Sequence, residues 1–372
     1  MERKKTVAVG LSGGVDSSLA AAILVDEGYR VLGLTMKIWK GAFKIQENLK
    51  HACFGPGEEE DIASCERLCT RLGIDYAVID LADEYEAKVL DYFRSEYETG
   101  RTPNPCVVCN RELKFGFLLE RARASGLSFD FFATGHYARK ESLNEVTFLR
   151  RAADESKDQS YFLYGLDSER LESILFPLGD MTKSQVRELA RAHGLEAAEK
   201  PESQDFIAGG DYAPLFEDRS CEPGDIVDSS GTILGRHRGL PYYTVGQRRG
   251  LGISIGPEPL YVLGLDGARN RVVVGPNSGL FSDGLASSNF RFQDPRMAGR
   301  EIPISEGWTA KIRQNHKPVP CSVRSNGPVE ISFDIAQRAV APGQSVVLYS
   351  AEGLVMGGGV IDRALHGARY AG

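Results

Sequence analysis

Val9-Gly10-Leu11-Ser12-Gly13-Gly14-Val15-Asp16-Ser17-Ser18 follows an apolar, strand-like run from Thr6 to Val9 and opens a helical run from Leu19 to Val25. A glycine pair at a strand-to-helix turn lets successive backbone N–H groups converge on an anion. The helix N-terminus adds the positive end of its dipole. Ser12, Ser17 and Ser18 add hydroxyl donors, and Asp16 is a carboxylate placed to hold Mg²⁺ beside bound phosphates. No Gly-Lys-Ser/Thr follows, so a kinase-like grip on a γ-phosphate is not expected. The plainer reading is a Ser/Gly-rich turn that caps a helix. Seven specified residues in a strand–turn–helix setting favour phosphate binding over that reading.

Outward from this turn the first half of the chain alternates strand and helix. Strands are predicted at Thr6–Gly10, Val31–Met36, Tyr76–Asp80 and Phe129–Thr134, and helices at Ser17–Glu27, Glu58–Leu72, Tyr85–Tyr97 and about Val107–Ser125. That rhythm predicts a doubly wound parallel sheet with helices on both faces, whose ligands collect at the carboxyl ends of strands. Lys157–Gly194 reads as helical, with Thr182-x-x-Gln185 as a capping box and His193-Gly194 as a stop. After Lys200-Pro201 helical periodicity ends and Gly and Pro punctuate short apolar runs. The expected division is an α/β domain over 1–204, a small central domain over 205–281 and a C-terminal β-barrel over 282–372. Barrel strands are predicted at Thr309–Ile312, Val319–Val323, Val329–Phe333 and Ser345–Tyr349, with Gly357-Gly358-Gly359 as a tight turn.

At 372 residues the chain is too long for one ordinary core, and its 42% hydrophobic and 26% charged residues are ordinary for a soluble protein. No run of 18 apolar residues occurs, so neither a membrane span nor a secreted protein is expected. A cytoplasmic location follows, in which the seven cysteines are thiols, ligands or catalysts rather than structural disulfides. The net charge of −7 argues against indiscriminate nucleic-acid binding but leaves room for local basic patches.

The Ser-Gly-Gly-x-Asp-Ser-Ser run resembles the PP-loop of ATP pyrophosphatases, which implies cleavage of ATP between its α and β phosphates. The second informative stretch is Gly100-Arg101-Thr102-Pro103-Asn104-Pro105-Cys106-Val107-Val108-Cys109-Asn110. Its prolines hold the backbone extended, then release it into a helix near Val107. Cys106 is thus expected at a helix N-terminus with Cys109 one turn on, where the dipole favours thiolate and Arg101 and Arg111 add positive charge. Alone, Cys-x-x-Cys reads equally as a redox couple, half a metal site or coincidence. Beside a PP-loop it points to sulfur chemistry. Cys65 and Cys69 share a helix face, and with His51 and Cys53 they could form a metal site. The preferred reading is two buried thiols acting as small hydrophobes, with Cys321 likewise core or filler.

Further stretches carry a resemblance over nearly the whole chain: Gly33-Leu34-Thr35-Met36, Lys114-Phe115, Ala133-Thr134-Gly135-His136-Tyr137, Lys157-Asp158-Gln159-Ser160-Tyr161-Phe162-Leu163-Tyr164, Gly246-Gln247-Arg248-Arg249-Gly250-Leu251-Gly252-Ile253 and Pro342-Gly343-Gln344. Together with the two motifs above, they resemble the tRNA-specific 2-thiouridylase (MnmA/TrmU) family. The resemblance implies that ATP adenylates O2 of a wobble uridine and that a cysteine-delivered sulfur then displaces AMP from C2. It implies ATP contacts from Gly10, Leu11, Ser12, Gly13, Gly14, Val15, Asp16, Ser17, Met36 and Gly135. It makes Cys109 the nucleophile, and sets Asn104, Pro105 and Cys106 at the target base. It assigns tRNA contacts to Lys157, Asp158, Gln159, Arg313, Gln314 and Gln344, and His136 is a further candidate. The partners implied are the anticodon region of tRNA and a sulfur-donor protein or sulfide. Read from its residues alone, Lys157-Asp158-Gln159 is an ordinary helix start. By the same reading, Arg248-Arg249 beside Tyr242-Tyr243 is a solvated turn over core tyrosines.

One departure stands out. Two-cysteine members of the family carry a persulfide-bearing cysteine shortly after a Lys-(Lys/Pro)-(Asp/Glu)-Ser motif, but the corresponding Lys200–Tyr212 contains none. Either Cys106 and Cys109 manage sulfur alone, or they hold part of a [4Fe–4S] cluster that needs Asp205 or a distant thiol such as Cys221. Two rivals stand beside the thiolation reading. One is PP-loop activation of a small molecule, which leaves Thr102–Cys106 and Lys157–Gln159 without a purpose. The other is a tRNA-binding or sulfur-relay protein without transfer chemistry.

Overall fold

The computed structural model describes residues 4–41, 43, 52–200, 205–207, 212–217, 221–253 and 257–366. The chain divides into two compact units, residues 1–89 with 106–214, and residues 90–105 with 215–372. His51 lies outside the described residues, as do 201–204 and 208–211 of the segment singled out above.

The first unit runs β1 (Thr6–Gly10), α1 (Val15–Asp26), β2 (Arg30–Lys37), β3 (Ala52–Phe54), α2 (Glu58–Leu72), β4 (Asp75–Asp80) and α3 (Ala82–Tyr85). From α3 the helix continues through a wide π-type turn at Glu86–Leu90 into α4 (Asp91–Glu98), which belongs to the second unit. α5 (Pro105–Val108), a π-helical stretch at Cys109–Phe117 and α6 (Leu118–Ala124) form the next helix. Then come β5 (Phe131–Thr134), β6 (Ala138–Leu143), β7 (Val146–Arg151), α7 (Ser160–Leu163), α8 (Ser168–Glu172), β8 (Ile174–Leu175), α9 (Lys183–Ala192) and β9 (Asp205–Ile207). The main sheet is ordered β4-β2-β1-β5-β8, and every pairing in it is parallel. α1 has no amphipathic stripe because it is buried along most of its length. Its Leu19 and Ala20 pack with Tyr137, Leu178 and Val186, while Ala21 and Leu24 pack with Val7, Val9, Cys65 and Cys69.

One expectation for this unit needs correction. Lys157–Gly194 is not helical throughout, because β8 interrupts it and adds the last strand of the sheet against β5. The capping box at Thr182 and Gln185 is formed, with both reciprocal bonds present, and Gly194 ends α9 at φ +63°.

In the second unit β10 (Gly224–Val227), β11 (Ile233–His237), β12 (Tyr261–Asp266) and β13 (Arg271–Gly275) form one sheet in the order β11-β10-β13-β12. A nine-stranded antiparallel sheet contains β14 (Phe281–Ser287), β15 (Arg291–Phe292), β16 (Glu301–Ile302), β17 (Thr309–Lys311), β18 (Val319–Arg324), β19 (Val329–Arg338), β20 (Ser345–Tyr349), β21 (Val355–Val360) and β22 (Arg363–Leu365). Gly357, Gly358 and Gly359 are not a turn but the middle of β21. Close backbone approach explains them: a Cβ on Gly357 would lie 2.5 Å from the Arg291 carbonyl oxygen, and one on Gly359 would lie 2.8 Å from Phe290 Cα. Among the described residues no helix is long and apolar enough to cross a membrane.

Candidate active site

The turn after β1 is shaped by glycine. Gly13 has φ +72°, and a Cβ there would meet Asp61 Oδ1 at 2.7 Å. Gly14 is the N-cap of α1, and no side chain caps the first turn, which leaves its opening amides to an incoming anion. Ser17 Oγ accepts from the Ser12 amide at 3.2 Å, and Ser18 Oγ donates to the Gly14 carbonyl at 2.8 Å, so the hydroxyls brace the loop from within. Leu11 N–H donates to Leu34 O at 2.8 Å, fixing the loop against the end of β2, where Met36 is half-buried. Gly135, just past β5, comes up against the start of α1. A Cβ on it would lie 2.6 Å from the Asp16 carbonyl carbon and the Ser17 nitrogen. The residues expected at ATP in this unit therefore converge at the carboxyl ends of β1, β2 and β5.

A residue that sequence reasoning missed joins them. Lys183, the first residue of α9, sets its Nζ 2.7 and 2.8 Å from the two oxygens of Asp16, whose Oδ1 also accepts from Tyr137 Oη at 2.8 Å. The Lys183 ammonium lies 5.5 Å from the centroid of the Tyr137 ring. Only the capping box pointed to this position, by fixing Lys183 at the start of a helix.

The thiols have a different setting. Cys106 sits in α5, and Cys109 opens the π-helical stretch; both are half-buried. Thiolate stabilisation by a helix N-terminus does not prevail at Cys109. Burial pushes its thiol up to about 11, against the pull of Lys114 and with the charge of Cys53 adding to the rise. The nearby cation is therefore Lys114. Arg101 pairs with Glu96 at 2.8 Å and Arg111 with Glu112 at 2.7 Å. Burial opposes the Lys114 charge, yet the negative charge that Cys109, Cys53 and Cys106 carry when ionised raises its pKa above the ordinary lysine value. Burial, then the Lys114 charge, holds His136 well below its usual value, so the ring is neutral, with Nδ1 2.9 Å from Thr134 Oγ1. Beside Cys109, Asn110 donates to Phe162 O at 3.3 Å, and its buried Oδ1 has no hydrogen-bond partner among the described residues.

Other expected contacts serve the scaffold. Asp158 is 1% exposed and accepts from the Ala152 and Ser160 amides and the Ser160 hydroxyl. Gln159 Oε1 accepts from the Tyr137 amide at 2.9 Å, and Lys157 is half-buried. In the second unit Gln344 donates to the Thr102 and Pro103 carbonyls at 3.3 and 2.9 Å, and Thr102 N–H donates to Pro342 O at 2.8 Å. Gly343 has φ +92°, and a Cβ there would lie 2.7 Å from Thr102 O. Pro342-Gly343-Gln344 is thus the clamp of the Thr102–Pro105 loop, in which Asn104 is buried. Arg313 donates to Arg338 O at 3.3 Å, and Gln314 is half-buried. Tyr243 is core, while Arg248 and Arg249 are exposed.

Cys65 and Cys69 are each 1% exposed, and burial pushes Cys69 up to about 12. Cys321 is buried and shifted in the same direction. Among the described residues no group of three or more His, Cys, Asp and Glu side chains is arranged to hold a metal ion. The donor set for an iron–sulfur cluster at Cys106 and Cys109 is therefore not assembled among them. Asp205 pairs with Ala52 through the β3–β9 backbone ladder.

The chain is similar to several known proteins. A family model described as a tRNA methyl transferase HUP domain matches residues 5–208. A tRNA methyl transferase PRC-barrel domain matches 215–276, and an aminomethyltransferase beta-barrel domain matches 287–361. The tRNA-specific 2-thiouridylase MnmA of Carboxydothermus hydrogenoformans is 44% identical over 372 residues, covering 97% of this chain and 99% of that one. The tRNA-specific 2-thiouridylase MnmA 1 of Syntrophus aciditrophicus is 45% identical over 368 residues, covering 98% and 94%. A solved 4-thiouridine synthetase–RNA complex with bound ATP aligns at a TM-score of 0.35 and 16% identity, over 55% of this chain and 46% of that one.

Proposed function

The chain belongs to the tRNA-specific 2-thiouridylase family, and from that premise we propose how its residues divide the work of an ATP-dependent transfer of sulfur to C2 of a tRNA uridine. Uridine O2 is a poor leaving group. Attaching AMP to it, with pyrophosphate departing, converts C2 into an electrophile that sulfur can attack. The first-turn amides of α1, the loop Gly10–Ser17, Met36 and Gly135 hold ATP, and the uncapped α1 N-terminus faces the leaving pyrophosphate. Lys183 is the cation beside that site. Asp16 is the loop carboxylate that would hold Mg²⁺ beside the phosphates, and Lys183, paired with Asp16 at 2.7 Å, is the ammonium placed for the phosphate oxygens. Mg²⁺ supplies charge neutralisation there.

Cys109 is the sulfur-carrying nucleophile, with Cys106 beside it and Asn104 and Pro105 at the base. Lys157, Asp158, Gln159, His136, Arg313, Gln314 and Gln344 remain the proposed tRNA set. Within it Asp158, Gln159 and Gln344 act by positioning the backbone that meets RNA, because their polar atoms are already engaged. The cluster alternative yields no step here, since among the described residues no group of three or more His, Cys, Asp and Glu side chains gathers to hold it, and Asp205 remains a proposed catalytic residue. The domain division at 1–204, 205–281 and 282–372, a cytoplasmic setting and a sulfur-donor protein complete the reading.

The observation that carries it is the glycine-shaped, uncapped turn with Lys183 and Asp16 across it. Pyrophosphate release measured with and without tRNA tests it. Release that requires tRNA and is lost in Asp16→Ala supports the reading, whereas release indifferent to tRNA belongs to a small-molecule enzyme.

A further inference from the structure

Of the five thiols in the first unit, Cys65 and Cys69 are sealed in the core, which leaves Cys53, Cys106 and Cys109 within reach of a reagent. Cys53 is the middle residue of β3, whose backbone pairs in parallel with β9 (Ala52 with Asp205, Phe54 with Ile207). Side chains alternate along a strand, so Phe54 points inward, 2% exposed, while Cys53 is exposed. Phe54 stacks on Tyr85 with ring centroids 5.1 Å apart, and Trp39 meets it edge-on at 4.8 Å. Tyr85 ends α3, which packs on the π-helical stretch that begins at Cys109. A continuous run of packed groups thus anchors the Cys53 strand beside the Cys109 helix. The same neighbourhood shows in the charges: Lys114 and the buried Tyr85 hydroxyl each feel Cys53, Cys106 and Cys109, and Cys109 itself feels Cys53.

We propose that Cys53 is the resolving thiol of sulfur transfer, completing a three-cysteine site with Cys106 and Cys109 that the Lys200–Tyr212 segment does not supply. The proposal rests on the sulfur-transfer reading above. A sulfane-sulfur donor leaves Cys109 as a persulfide. Its terminal sulfur attacks C2 of the adenylated uridine, forming a C–S bond as the C–O bond to AMP breaks and AMP departs with the electron pair. Cys53 thiolate then attacks Cys109 Sγ, and the bond between that sulfur and the transferred one breaks. The transferred sulfur keeps the electron pair and becomes the 2-thiocarbonyl. The two cysteines are oxidised to a disulfide while the sulfane sulfur is reduced. An external dithiol reductant, itself oxidised, resets the pair.

The full chain, tRNA, ATP and a polysulfide donor are incubated without reductant, and the protein and RNA are analysed by mass spectrometry. Wild type is expected to yield a Cys53–Cys109 disulfide after one turnover. Cys53→Ser is expected to trap tRNA on Cys109 as an adduct that dithiothreitol releases, and to release 2-thiolated tRNA in that first turnover more than about a hundredfold more slowly. Cys221→Ser, in the other unit, is the control for general thiol loss. Release of 2-thiolated tRNA by Cys53→Ser at the wild-type single-turnover rate, or a Cys106–Cys109 disulfide in wild type in place of the Cys53–Cys109 one, overturns the proposal. So does stoichiometric iron in anaerobic protein that Cys53→Ser removes, which would make Cys53 a ligand. If wild type itself releases no tRNA-dependent pyrophosphate, the underlying reading fails instead.

Discussion

The phosphate turn at Gly10–Ser18 and the thiol cluster around Cys109 occupy one α/β unit and prepare for their reactants in opposite ways. At the turn, donors are arranged in advance: backbone amides at an uncapped helix start, a braced serine pair, and Lys183 held by Asp16 until a stronger anion arrives. At the cluster, the reactive group is kept in its unreactive form, because burial outweighs the Lys114 charge and leaves Cys109 a thiol near neutral pH. Preorganised electrostatics suits a step that must run first. A protonated sulfur nucleophile suits one that must wait for an electrophile.

Separating the two regions by mutation gives the largest effect. Cys109→Ser should lower 2-thiouridine formation by roughly 10⁴-fold or more, as loss of a covalent nucleophile does, with pyrophosphate release continuing. Equal loss of both products would merge the two regions into one. Next comes the turn itself. Gly135→Ala drives a Cβ to 2.6 Å from the backbone of Asp16 and Ser17, so the start of α1 has to shift. Adenylation should fall about a hundredfold, while alkylation of Cys109 by iodoacetamide keeps its rate.

The cluster is sharpened by pH. A thiol that titrates at about 11 offers tenfold less thiolate for each pH unit below that value. Alkylation of Cys109 should therefore rise steadily with pH and level off only near 11. Lys114 favours the thiolate, so Lys114→Gln should slow alkylation at fixed pH by roughly tenfold and move the plateau upward. A plateau below neutral pH would show that the helix N-terminus governs Cys109 after all. The smallest effect belongs to the scaffold of Lys183. Thr182→Ala removes the capping box of α9 and should cost about 1 kcal/mol of stability in thermal or denaturant unfolding, with a modest fall in adenylation.

These regions differ also in how far the sequence reveals them. The phosphate turn is contiguous, and glycine chemistry at a strand end announces it. α2 appears at Glu58–Leu72 as its pattern predicts, because charge in its first turn and Gly73 at its end mark both boundaries. Lys183 sits 167 residues from Asp16, and no local pattern records an ion pair at that separation. β8 escapes notice because two residues carry no periodicity, and the β6–β7 hairpin because its turn uses Asn144 and Glu145 at positive φ instead of Asn-Gly. The Gly357–Gly359 run is misread as a turn because the need for glycine lies across the sheet, at Phe290 and Arg291. Cys53 lies on a three-residue strand whose partner among the described residues, β9, is about 150 residues away in sequence.

The central claim is that ATP cleavage at the glycine turn and sulfur delivery at Cys109 are two successive steps on one tRNA uridine. It is tested most directly by counting both products in the same reaction, pyrophosphate by an enzyme-coupled assay and 2-thiouridine by mass spectrometry of digested tRNA. The account predicts tRNA-dependent, matched yields in wild type, and pyrophosphate without 2-thiouridine in Cys109→Ser. Formation of 2-thiouridine by Cys109→Ser, or pyrophosphate release by wild type that ignores tRNA, would contradict it.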